Sequence, residues 1–568
     1  MKEINVWTPN LKMMVEKLDQ RSNDLIRRKI AQLLVVRASG HEADSEREYP
    51  EWELSNFELQ RLLAKGVGGV ILVGGNAFEL QHRCRSLQQW SSSPKELLLC
   101  ADVEEGIGQR FSGGTWLLPQ MALARIFSKD PKKALLLAER YGKCIGSQAR
   151  KCGLNWVLAP VCDVNNNPSN PVINVRSLGE HPTTVATLAC AVQRGLAAEK
   201  VLSCAKHFPG HGDTELDSHL DLPVLNHELE RLKSCELIPF IEIMKAGVDA
   251  VMTGHLVLKK LDEKYPSTLS KVVLKNLLRD QLKFDRLIVT DALIMQAISN
   301  SYGSSEAAVL AFEAGADLIL MPENAEEAID AIFQALQSGR LPIERLEHSI
   351  RRRKEALRKR KVNLPEKIST SYAVYTETLQ SEDDRALVHE IAKASLEARH
   401  RNSLDGKADG LNLIRVDSLM SSNILDKYSP AILLPERFGY KTFISHRLGI
   451  LPWLDESDSP LDLQRFGKKP FLLQLFFRGN PFAGNNYLYE PWKLIIKQLQ
   501  DSGLLDALIV YGSPYIWEDF LSILDPSIPT AYSPGQVPEA QYIALRTLFK
   551  VDKHKEQFSF RGFDAFTD

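Results

Sequence analysis

Between residues 33 and 322 the chain repeats one pattern eight times, a short apolar run followed by a longer connecting stretch. The runs are LLVV (33–36), GGVILV (68–73), LLLCAD (97–102), WVLAPV (156–161), VLSCAK (201–206), AVMTGH (250–255), LIVTDA (287–292) and LILMP (318–322). A strand that is apolar at nearly every position must be covered on both faces, as in a parallel sheet flanked by helices. The connecting stretches supply helices, among them SNFELQRLLAKG near 55, DPKKALLLAERYGKCIGSQARKCG near 130, TTVATLACAVQRGLAAEK near 183 and ENAEEAIDAIFQALQSG near 323. Several open on Ser, Asp or Asn and close at Gly, as capped helices do. Eight such units predict an α/β chain built on a (β/α)8 TIM-like barrel, with an open doubly wound sheet as the rival.

After about residue 342 the pattern gives way to charged helices, IERLEHSIRRRKEALRKRK and SEDDRALVHEIAKASLEARHR. The basic run Arg351 to Lys361 reads as a solvated helix face rather than an anion site. From about residue 410 a second alternation begins with LNLIRV, AILLP, FLLQLFF and DALIVY, then the shorter TAY. The expected division is a catalytic barrel over 1–345, a helical connection over 346–405 and a smaller C-terminal α/β sandwich domain over 406–568. Within the last, Phe476, Phe477 and Arg478 read as core and edge residues.

A formal net charge of −2 with 25% charged residues leaves no basic excess to attract nucleic acid or an anionic membrane. The first residues lack the apolar centre of a secretory signal, and no run of about 18 apolar residues occurs. The eight cysteines form no CxxC pair, and Cys100, Cys162 and Cys204 lie inside apolar runs, so buried free thiols in a reducing, cytoplasmic setting are expected. Oligomeric state does not follow from the sequence.

Polar residues close five of the eight strands: Asp102, Asp163, Lys206 with His207, His255 and Asp291. A barrel keeps its active site at that end. A carboxylate ending a buried strand, as in IVTDALIM, must be solvated, paired or used; capping the next helix is the structural alternative. The densest chemistry lies in KHFPGHGDTELDSHLDLP (206–223), which holds His207, His211, His219, Asp213, Asp217 and Asp221 among Gly and Pro. Asp217 and His219 are one residue apart, so a tight turn can bring the carboxylate to the imidazole and sustain a proton shuttle.

That loop, with NWVLAPVCDVNNNPSNPVINVRSLGEHP and IVTDALIM, resembles the β-N-acetylglucosaminidases of glycoside hydrolase family 3 over about residues 25–345. GSPYIWEDFL and AYSPGQVPEAQYIALRTLF resemble the family's second domain more loosely. The resemblance implies Asp291 as nucleophile, His219 as general acid/base, Asp217 holding His219, and Asp102, Arg110, Arg176, Lys206 and His207 as sugar-binding residues. It implies no cofactor and no metal, and it points to a small saccharide or muropeptide as substrate: terminal GlcNAc on peptidoglycan fragments in cytoplasmic recycling. The sequence departs from the family's D-x-E-G-G-x-V-x-R at DVEEGIGQR, where Glu105 stands for a glycine and Gly108 for a branched residue, which bears on the placement of Arg110.

Most retaining glycosidases use two carboxylates, and a histidine acid/base repels an incoming anion less. Phosphorolysis at the same site is therefore the nearest alternative. More distant readings are a metal-dependent hydrolase using His207, His211, Asp213, Asp217 and His219 as ligands, and a sugar-binding protein without turnover.

Overall fold

The computed structural model describes residues 8–216, 222–359, 371–405, 409–416, 424–446, 461, 463–478 and 491–550. Each of the eight apolar runs contains a strand: β1 (Leu34–Ala38), β2 (Gly69–Leu72), β3 (Leu98–Ala101), β4 (Trp156–Val157), β5 (Cys204–Phe208), β6 (Ala250–Thr253), β7 (Leu287–Val289) and β8 (Ile319–Leu320). They form curled parallel sheets, one ordered β8-β1-β2-β3-β4 and one ordered β5-β6-β7. Single parallel bridges Trp156/Leu202 and Val161/Lys206 lie between the fourth and fifth strands, and Val289/Leu318 between the seventh and eighth. The strands therefore neighbour one another in chain order, and every strand of the set is buried along its length.

The expected helices form over Asn56–Ala64, Pro131–Lys151, Pro182–Ala198 and Ala325–Gln337. Ser55 and Glu58 close a reciprocal capping box on the first, and Asn324 accepts from two backbone N–H groups at the start of the last. The second and third cross closely because glycine sits at the contact. A Cβ on Gly142 would lie 2.0 Å from the carbonyl oxygen of Val192, and one on Gly195 would lie 2.1 Å from that of Glu139.

In the basic run Arg351, Lys354, Arg358 and Lys359 are exposed, as a solvated face requires, while Arg352 and Arg353 turn inward. Arg353, on the helix Ile343–Lys359, is 2% exposed and donates to the carbonyl of Gly68 at 2.9 Å. Arg352 and Arg345 on the same helix, together with Arg279, surround the fully buried Asp317. Their charge is spent on fastening the helix to the strand-bearing domain. The second charged stretch is also shorter as a helix than its pattern suggests: it ends at Ser395 and passes into strand β9 (Glu397–Arg399).

Five further strands follow: β10 (Gly410–Val416), β11 (Tyr440–His446), β12 (Phe471–Phe477), β13 (Leu505–Gly512) and β14 (Thr530–Ser533). The six-stranded sheet has the order β9-β14-β13-β12-β10-β11, parallel except where β9 meets β14. Along β12, Leu472 and Phe476 join one apolar cluster while Phe471, Leu473, Leu475 and Phe477 join another, so both faces are covered. Burying each such side chain stabilises the fold by about 1.5–3 kcal/mol. AILLP is not a strand of this sheet. It lies in the helix Pro430–Arg437, begun by Ser429 and by Pro430 in the first turn, and the strand is the following YKTFISH. A short apolar run has the same periodicity in either state, and proline at the first helical position was the deciding local signal.

Candidate active site

The side chains at the C-terminal ends of β3 to β7 fall into three hydrogen-bonded groups, one around Lys206, one around Asp163 and one around His255, with Asp291 beside the last. Lys206, on β5, is 1% exposed and donates to Asp102 Oδ1 at 2.6 Å and to Glu104 Oε2 at 3.4 Å. The other oxygen of Glu104 accepts from Arg176 Nε at 2.9 Å. Burial works against the charge on Glu104, but Lys206, Arg176 and Arg110 outweigh it and hold this carboxyl well below the usual carboxylate range. Burial likewise opposes the Lys206 charge, and Asp102 with Glu104 turns the balance upward. Asp102 keeps 35% of its side chain exposed, so this end of the chain of charges faces an incoming molecule.

Asp163, beyond β4, holds the start of the histidine-rich loop. It is fully buried and accepts from the His207 N–H at 3.1 Å, from His207 Nδ1 at 2.7 Å and from the His211 N–H at 2.7 Å. With Nδ1 so occupied, His207 is left with Nε2 for other contacts. His211 is buried against Thr214 Oγ1 at 2.8 Å, and burial pushes its imidazole down to about 4. Asp213 turns away to His227 Nε2 at 2.8 Å.

Asp291 follows β7 and is part-exposed, with Oδ1 accepting from the Ala292 N–H at 2.8 Å. Its charge is felt by both His211 and the buried Cys204 thiol of β5, which also senses Asp102. His255, expected among the chemical groups, is fully buried behind this turn with both ring nitrogens engaged. Asp217 and His219 lie outside the described residues.

A model of the glycosyl hydrolase family 3 N-terminal domain matches residues 25–355, and one of the bacterial glycosyl hydrolase family 3 C-terminal domain matches residues 403–550. The chain belongs to glycosyl hydrolase family 3. Among its relatives, β-hexosaminidase A of Pseudoalteromonas piscicida is 34% identical over 369 residues, an overlap of 60% of either chain. A β-hexosaminidase of Neisseria meningitidis is 37% identical over 273 residues, 48% of this chain and 75% of that one. A solved family 3 β-N-acetylglucosaminidase from Paenibacillus sp. str. FPU-7 is 29% identical with a TM-score of 0.75, covering 92% of this chain and 97% of the other.

Against the family pattern, Glu105 is not a loosely placed extra carboxylate. It is 0% exposed, accepts from Trp116 Nε1 at 3.2 Å and pairs through both oxygens with Arg478, one of these bonds measuring 2.9 Å. Arg478, read from the sequence as an edge residue, thus reaches from the C-terminal domain to the loop after β3. Nor is the backbone at Gly108 slack: a Cβ there would lie 2.5 Å from the carbonyl oxygen of Gly114, and its N–H bonds Thr115 O at 2.9 Å. Arg110 stays exposed, and its Nε donates to the main-chain oxygen of Asp102 at 3.4 Å.

Sequence reasoning missed Glu104 as the junction of the network, although a second carboxylate two residues after Asp102 was a visible signal. The metal-ligand set considered for the loop does not assemble among its described members. His207 and His211 serve Asp163 and Thr214, while Asp213 groups with His227 and Glu236. Among the described residues no helix is long and apolar enough to cross a membrane.

Proposed function

We propose that the protein is a retaining exo-β-N-acetylglucosaminidase that releases terminal β-linked GlcNAc, with peptidoglycan-derived muropeptides as the natural source. The observation that carries this reading is the chain of charges from Asp102 through Lys206 and Glu104 to Arg176, at the same strand ends as Asp291. Fixed, mutually paired groups of this kind offer oriented donors and acceptors to sugar hydroxyls without reorganising. The likeness to the β-hexosaminidases of Pseudoalteromonas and Neisseria and to the β-N-acetylglucosaminidase of Paenibacillus supports the substrate class. The eight strands, neighbours in chain order, are read as a closed (β/α)8 barrel with its mouth at this site. Eight unpaired cysteines support a reducing, cytoplasmic setting.

In this mechanism the Asp291 carboxylate attacks the anomeric carbon while His219, held by Asp217, protonates the departing glycosidic oxygen. A glycosyl-aspartate ester forms and the aglycone leaves as the alcohol. His219 then takes a proton from water, whose oxygen attacks the same carbon and frees Asp291. Two inversions leave the configuration retained. The roles of Asp217 and His219 rest on their sequence motif alone.

The test is release of chromophore from a β-GlcNAc aryl glycoside, compared with the β-glucoside, with and without phosphate. The expected result is release from the GlcNAc substrate, indifferent to phosphate and abolished in Asp291→Ala. No release would overturn the assignment, and sugar 1-phosphate as the main product would replace it with a phosphorylase.

A further inference from the structure

We infer that Arg478 of the C-terminal domain is a positioning residue for the sugar-binding carboxylates of the strand-bearing domain; this rests on the function proposed above. The loop after β3 carries three carboxylates in four residues, Asp102, Glu104 and Glu105. Two of them share Lys206, and Glu104 also takes Arg176. The third, Glu105, is fully buried and is met by a guanidinium supplied by the other domain. One extra carboxylate is thus matched by one extra cation.

Without Arg478, Glu105 would be a buried anion beside Glu104, left with the Trp116 side-chain N–H as its partner among the described residues. It would compete with Glu104 for Lys206 and Arg176, the cations that Glu104 engages. The loop that presents Asp102 would then lose its geometry although no group touching the sugar had been removed. Arg478 is suited to the task because its planar fork engages both oxygens of Glu105 and so fixes the carboxylate's orientation.

A second contact from the same domain holds the neighbouring loop. Asn165, two residues beyond Asp163, donates from Nδ2 to the Tyr515 hydroxyl oxygen at 2.7 Å, and that hydroxyl donates to the Asn165 carbonyl at 3.2 Å. This loop also carries Arg176. The C-terminal domain therefore grips both loops whose side chains meet in the Glu104–Arg176 pair.

The experiment is a double-mutant cycle on the full chain, with Arg478→Ala, Glu105→Gln and the double variant, read as KM and kcat for the β-GlcNAc substrate. Arg478→Ala is expected to raise KM by about tenfold or more with a smaller change in kcat, and the double variant to recover most of that loss. Tyr515→Phe is expected to raise KM severalfold. An active wild type with unchanged KM in Arg478→Ala overturns the inference alone, as does a double variant as impaired as Arg478→Ala. A wild type without turnover removes the reading on which it rests. Should Arg478→Ala fail to fold, the double variant decides: lacking the buried charge, it is expected to fold and bind, and its failure overturns the inference.

Discussion

The Nε2 of His255 lies 3.0 Å from the carbonyl oxygen of Ala292, the residue that follows Asp291. A carbonyl only accepts, so Nε2 carries the hydrogen, and in the neutral ring Nδ1 accepts from Thr268 Oγ1 at 2.8 Å. Thr253 continues the chain with a 2.8 Å contact to Thr268. All three side chains are fully buried. His255 thereby holds the carbonyl of Ala292, the residue whose own N–H bonds the Asp291 carboxylate, acting as a strut behind the proposed nucleophile rather than as a proton donor to substrate.

Removing that strut is expected to affect the rate more than the affinity. His255→Ala should lower kcat by about 10–100-fold with little change in KM, because small misplacement of a reacting group is costly. It should also destabilise the fold by about 1–3 kcal/mol through the buried groups left unpaired. His255→Gln, which keeps a donor on a side chain of similar reach, should recover part of kcat. Steady-state kinetics and thermal unfolding of the two variants check this, and a wild-type kcat in His255→Ala would refute it.

His211 makes stability depend on pH in a defined direction. Burial holds its imidazole near 4, below the 6.5 of an exposed ring, so the unfolded chain takes up a proton that the folded one refuses. Its share of stability is complete above about pH 6.5, declines as pH falls, and is exhausted below about pH 4. The slope approaches 1.4 kcal/mol per pH unit, for a total of about 3 kcal/mol. His211→Asn, whose amide can still meet Thr214, should show a flatter denaturation midpoint between pH 6.5 and 4.5. Parallel profiles for the two proteins would refute the assignment.

Chelation separates the glycosidase reading from a metal-dependent one. Asp213, His227 and Glu236 could in principle enclose a cation, but Arg231 already sits 2.6 Å from Glu236 and adds a positive charge. Dialysis against a chelator is therefore expected to change kcat by less than about twofold, and added zinc or magnesium to restore nothing. Loss on chelation with recovery on adding metal would reverse this conclusion.

The eight strands were legible because burial on both faces forces near-continuous apolar runs, a pattern that survives without neighbours. Lys206, His207, Asp102 and Asp291 were legible for a related reason: polar groups closing such strands have few structural excuses. AILLP was misread because five apolar residues carry no decisive period, and Arg353 because charge alone does not reveal a carbonyl waiting at Gly68. Glu105 and Arg478 are 373 residues apart, and nothing local in either segment announces the other. His255 read as chemistry because its partners, Thr268 and the Ala292 carbonyl, come from outside its own strand.

Asp163 carries the last prediction, since one carboxylate satisfies three donors. It accepts from two backbone N–H groups and the His207 ring in a site with no exposure to solvent. Burial raises its carboxyl, but His207 and His211 more than offset this and leave it below the usual value, so its contribution is present above about pH 4 and lost as pH falls through the lowered value. Asp163→Asn keeps the size but replaces one accepting oxygen with an NH2 that must face other donors. A loss of about 3 kcal/mol is expected, and KM should rise because the His207 ring loses the partner that fixes its orientation. Chemical denaturation with KM measured on the same preparation tests both halves. Unchanged stability would show that the loop is held elsewhere, and lost stability with unchanged KM would remove His207 from the sugar-binding set.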